Sequence, residues 1–89
     1  MKINERYVLR QLADTWVVLP LADSTIDFNG MITLNESGVL LWNALETGAE
    51  IDQLVKLLTS EYAVSDAQAR ADVEEFIQKL RDSGCLELQ

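Results

Sequence analysis

Fifteen carboxylates, one thiol and no imidazole are the reactive groups this 89-residue chain offers. Glu74-Glu75 is the only pair of acidic side chains adjacent in sequence. Neighbouring helical positions point in different directions, so these two cannot bracket one substrate bond as acid and base. Without histidine there is no Ser-His or Cys-His pair, and no Gly-rich phosphate loop is present. The single Cys85 excludes an intrachain disulfide and fits a reducing compartment. One cysteine and no histidine do not make a structural zinc set. Cys85 stands before Leu86, just beyond a predicted helix end, and reads as a small buried apolar side chain. The expectation is a protein that is not an enzyme, with no catalytic residue, no metal and no cofactor.

Groups that do no covalent chemistry must still be positioned, and size and composition limit how. Eighty-nine residues make a single domain, 1–89, with one modest core. At 48% hydrophobic and 25% charged the chain is globular rather than disordered. No apolar run is long enough to cross a bilayer, and Met1 to Arg10 holds no signal-peptide core. The expected setting is soluble and cytoplasmic. A formal net charge of -8 repels phosphate backbones and anionic lipid surfaces, so neither nucleic acid nor membrane is an expected partner. A neutral or basic polypeptide is.

Tyr7 to Leu12 and Thr15 to Leu19 are β-rich runs split by Ala13-Asp14, the spacing of a tight hairpin in which Asp14 takes the left-handed backbone. Pro20 closes the second run. Leu21 to Asn29 is a polar connection with Asp23-Ser24 and Asn29-Gly30 as turn signals. Met31 to Leu34 is a third strand that runs straight into Asn35, a strong helix N-cap. Leu34 and Val39 then occupy the positions of a hydrophobic staple, and Gly48 sits where that helix ends. A second helix carries the stripe Ile51, Leu54, Val55, Leu58 and Tyr62 behind a weak cap at Glu50. Ser65 and Gln68 form a capping box for a third, with the stripe Ala69, Val73, Phe76, Ile77 and Leu80 and a stop at Gly84. The order is β-β-β-α-α-α, an α+β domain.

Three readings follow. Asp23-Ser24 is the dipeptide at which acyl and peptidyl carrier proteins bear phosphopantetheine, but carriers are all-helical and here Ser24 follows two strand-like runs. A hairpin with three helices suggests a winged helix, yet the last helix sets three basic against five acidic side chains, the wrong sign for a DNA groove. Binding remains. Three strands leave two open edges, and Met31-Ile32-Thr33-Leu34 contains no Lys or Pro to blunt its own. Such an edge beside an amphipathic helix offers β-augmentation by a guest peptide. The other occupants are the chain's own Leu21 to Phe28 connection or a second copy, which would make a homodimer.

Leu34-Asn35, Gly38 and Leu41-Trp42 resemble the L-N-x-x-G-x-x-L-W signature of the coenzyme PQQ synthesis protein D family, peptide-recognition elements for ribosomally made, post-translationally modified peptides. The likeness continues through Gly48, Leu54-Val55 and Leu57-Leu58, and resumes at Asp72-Val73, Phe76-Ile77, Leu80 and Gly84. It implies a winged-helix-like fold, a three-stranded antiparallel sheet followed by three α-helices. It also implies a non-catalytic partner for the leader region of a precursor peptide, presented to a peptide-modifying enzyme, often a radical SAM protein. Carried over, the leader lies along Met31, Ile32, Thr33 and Leu34, against a wall drawn from Arg70, Val73, Phe76, Ile77 and Leu80. In this view Arg70 meets a leader carboxylate. Cys85 after Gly84 and Glu50 at the second cap depart from the family pattern, both outside the implied groove.

Overall fold

Val17 and Val18, at the centre of the most apolar strand, fix where the sheet lies. In the computed structural model, which describes residues 1–21 and 32–87, the strands are β1 (Lys2–Ile3), β2 (Tyr7–Leu12), β3 (Thr15–Pro20), β4 (Ile32–Leu34) and β5 (Leu86–Glu87). The helices are α1 (Glu36–Thr47), α2 (Ile51–Glu61) and α3 (Asp66–Asp82). The turn signals at Asp23-Ser24 and Asn29-Gly30, and Met31 itself, lie outside the described residues.

The sheet runs β2-β3-β4, antiparallel throughout. Register sets Leu9 beside Val18 and Val18 beside Ile32, so one rung of apolar side chains crosses all three strands and faces the core. Trp16 pairs with Leu34 on the next rung of that face. The hairpin turn falls at Ala13-Asp14, but Ala13 rather than Asp14 takes the positive φ, at 54°. A two-residue turn of this kind demands the mirror-image backbone at its first central position, whatever residue stands there.

Helix α1 starts one residue after β4 ends. Asn35 Oδ1 accepts from the Gly38 N–H at 2.9 Å and from the Ser37 hydroxyl at 3.0 Å. The helix buries Gly38, Leu41, Trp42 and Leu45, a stripe spaced i, i+3, i+4, i+7. Gly48 ends it with φ 106°. The start of α2 is better capped than Glu50 suggests, because Gln53 Oε1 accepts from the Glu50 N–H at 2.7 Å. A long amide at the third helical position reaches back to the cap, which an acidic residue by itself does not advertise. Tyr62 lies just beyond α2 as its C-cap. Ser65 caps α3 through its bond from the Gln68 N–H at 3.1 Å, and Ala69, Val73, Ile77 and Leu80 turn inward.

Chain-end pairing is the feature the sequence reading lacks. Strand β1 pairs antiparallel with β5, Lys2 beside Glu87 and Ile3 beside Leu86. Asn4 N–H donates to Cys85 O at 2.7 Å, and Gly84 turns α3 into this strand with φ 78°. Cys85 is fully buried, and that burial pushes its thiol up to about 11. The core holds no buried charged residue among those described, and Trp42 Nε1 is the one buried side-chain polar atom there without a partner. No helix of the described residues is long and apolar enough to cross a membrane.

Candidate functional site

Strand β4 hydrogen-bonds to β3 on one side only; among the described residues no strand pairs with its other edge. That edge borders a cleft of about 480 Å³ between the β4–α1 junction and α3. Thr33 and Leu34 come from β4, Asn35 from the junction, and Ser37, Gly38 and Leu41 from the first two turns of α1. Leu58 of α2 completes the floor, and α3 supplies Asp72, Glu75, Phe76 and Lys79. The floor is apolar and buried, Phe76 is half-buried, and the charged rim is exposed.

Glycine at 38 is what allows this geometry. A Cβ there would lie 3.3 Å from Leu34 Cβ and 3.3 Å from Asn35 Oδ1, so the strand end could not sit so close to the helix without displacement. The short joint is therefore a packed one. Asn35 holds it from the strand side through its cap, and Leu34 from the core side, where it is buried.

A second lobe of about 310 Å³ continues the cleft and shares Asn35, Ser37, Leu58 and Asp72 with the first. Tyr62, Val64 and Glu36 complete it. The Tyr62 phenol is raised above its ordinary value by desolvation first, then by the negative charges of the nearby Glu36 and Glu61. On the rim Asp72 accepts from Gln68 Nε2 at 2.9 Å. Glu75 and Lys79, although one turn apart, form no ion pair.

The residues read as a groove from the sequence separate into three groups. Thr33, Leu34 and Phe76 line the cleft. Ile32, Val73, Ile77 and Leu80 are packed in the core. Arg70 lies roughly 160° round α3 from Asp72, at about 100° per residue. Its guanidinium pairs there with Asp52 of α2 at 2.7 Å, which holds it more firmly protonated. Met31 is outside the described residues. Sequence reasoning passed over Asp72, Glu75 and Lys79. Together with Phe76 they recur at i, i+3, i+4, i+7, a helix face beside the buried stripe of Ala69, Val73, Ile77 and Leu80, but their polarity gives no sequence signal that sets them apart from a solvated surface.

Chemically this is a surface for holding an extended chain. It combines main-chain groups of β4 that pair with no other strand, an apolar floor and a polar rim, without a nucleophile and base in contact, among the described residues. No group of three or more His, Cys, Asp and Glu among the described residues is placed to hold a metal ion.

Solved structures share this architecture over most or all of the chain. The chain resembles the solved structure of TbiB1 in complex with the TbiA(beta) leader peptide, with a TM-score of 0.79 and 26% identity, covering 100% of this chain and 98% of the other. It resembles a lasso peptide synthetase B1 complexed with the leader peptide at a TM-score of 0.74 and 21% identity, covering 94% and 93%. Both confirm the three-stranded sheet with three helices. No curated protein matches the chain. The model of the family described as coenzyme PQQ synthesis protein D matches residues 15–86, from the start of β3 through the first residue of β5, and the chain belongs to that family.

Proposed function

We propose that this protein is a non-catalytic adaptor that binds the leader segment of a ribosomally made precursor peptide by strand addition and presents it to a modifying enzyme. The observation that carries this reading is the outer edge of β4, which pairs with no strand among the described residues and faces α3 across an apolar-floored cleft. The two structural neighbours, each a complex with a leader peptide, support it. A disordered leader orders as a strand on β4, main-chain bonds supply affinity that tolerates many sequences, and side chains entering the cleft supply selectivity. The rest of the precursor stays free, and tethering raises its effective concentration at the enzyme. A radical SAM protein is the enzyme class the family resemblance implies.

Antiparallel geometry makes the test sharp. Along β4, alternate residues aim N–H and C=O outward, so either Thr33 or the pair Ile32 and Leu34 face a guest. Proline at an outward position removes a donor the guest needs, whereas at an inward position it breaks the β3 ladder. Peptides are selected from a randomised dodecapeptide library, and affinities are measured by calorimetry for Ile32→Pro and Thr33→Pro. One variant is expected to stay folded by circular dichroism and lose at least about tenfold in affinity, the scale of one or two net hydrogen bonds. Two folded variants with unchanged affinity refute the edge. Light scattering of the free protein separates this reading from self-pairing through the same edge.

A further inference from the structure

The second lobe has a lining unlike the first. Leu58 is buried at its base, Tyr62 is half-buried, and Val64 is an exposed large hydrophobic side chain at its mouth. Around that apolar interior stand Glu36 and Asp72, and no Lys or Arg lines it. The cation of the neighbouring lobe, Lys79, is seven residues along α3 from Asp72, about 10 Å of helix axis. That exceeds the Debye length of about 8 Å at physiological salt, so Lys79 compensates the lobe weakly. Asp72 already accepts a hydrogen bond from Gln68, Glu36 lies near enough to Tyr62 to raise its phenol, and each carboxylate keeps further acceptor capacity.

Resting on the peptide-binding reading above, we propose that this lobe selects guests carrying a Lys or Arg beside a large apolar side chain, next to the stretch that pairs with β4. The apolar side chain enters between Leu58, Tyr62 and Val64, and the cation remains at the rim between Glu36 and Asp72. The lobe is continuous with the strand-binding cleft through Asn35, Ser37, Leu58 and Asp72, so a single extended peptide reaches both. Its negative rim matches a basic guest, and the acidity of the whole chain steers such a guest inward.

Dodecapeptides with acetylated and amidated ends, enriched from a randomised library on the wild-type protein, provide the probe. They are expected to show a basic residue adjacent to an aromatic or aliphatic one. Changing that residue to Gln is expected to weaken binding about fivefold in 50 mM NaCl, less at 0.5 M, as for exposed charge pairs. The double variant Glu36→Lys/Asp72→Lys is expected to enrich an acidic residue there instead. Should it fail to fold, Glu36→Gln/Asp72→Asn is expected to abolish the preference. Peptides with no basic signature, or a Gln change costing less than twofold, overturn this proposal while sensitivity to the β4 prolines leaves peptide binding standing. Loss of that sensitivity too removes the underlying reading.

Discussion

Replacing Phe76 by alanine, and separately Val73 by alanine, sets cleft against core on one helix. Val73 is fully buried and lines neither lobe, whereas Phe76 is half-buried and faces the cleft. Truncating Val73 deletes two methyl groups, about 1.6 kcal/mol of transfer free energy at ~0.8 each. Roughly 1 kcal/mol more comes from a cavity of about 40 Å³. A loss of 2–3 kcal/mol is on the order of 10 °C or more in Tm for a domain this size. Phe76→Ala is expected to cost less stability, because part of the ring already meets solvent. If a bound peptide covers about 50 Å² of that ring, its loss removes about 1.3 kcal/mol of binding, close to tenfold in Kd. Urea denaturation gives the first quantity, and fluorescence polarisation of a labelled library-selected peptide, at a temperature where both variants are folded, gives the second. The expected pattern is a double dissociation: Val73→Ala lowers stability with affinity held within twofold, and Phe76→Ala does the reverse. A Phe76→Ala protein that binds as well as wild type, alongside a folded Val73→Ala protein that does not, would refute the placement of the peptide on this face.

Asn35→Ala removes the α1 cap and is expected to cost about 1 kcal/mol in denaturant titrations, with weaker peptide binding because the cap anchors the residue that follows β4. Gly38→Ala gains up to about 1 kcal/mol of helix propensity but pushes on Leu34; stability is expected to hold within about 1 kcal/mol while affinity falls, read from melting curves and polarisation together. Cys85 carries a thiol raised from 9.0 to about 11 by burial, so the unfolded chain loses this proton first. The associated stability is complete below pH 9 and drains away as pH rises toward 11, about 2–3 kcal/mol in all, and Cys85→Ala is expected to flatten that part of the denaturation profile. Arg70→Ala breaks the exposed pair with Asp52 on the far side of α3. It is expected to leave peptide affinity unchanged by polarisation, and a large loss would return Arg70 to the binding surface.

What the sequence discloses and what it hides follow one physical division. Caps and stops are local: Asn35, Ser65, Gly48 and Gly84 each satisfy or turn a backbone within a few residues, so their types announce them. The hairpin is legible for the same reason. The β1–β5 pair is not, because two-residue strands show no alternation and their partners stand at opposite ends of the sequence. On α3, the Ala69, Val73, Ile77 and Leu80 side chains declare an inward face by polarity. Asp72, Glu75 and Lys79 border the cleft yet look like any solvated surface. Only the placement of β4 against α3 distinguishes them from Glu74 or Arg81.

The single-residue joint at Asn35 has a further effect. Strand and helix meet there without slack, with Leu34 wedged beneath Gly38, so β4 cannot swing outward without tilting the first turn of α1. On the proposed function, the gap opposite Phe76 would then act as an aperture of fixed width rather than a jaw, and guests would be sorted by girth before any polar contact is weighed.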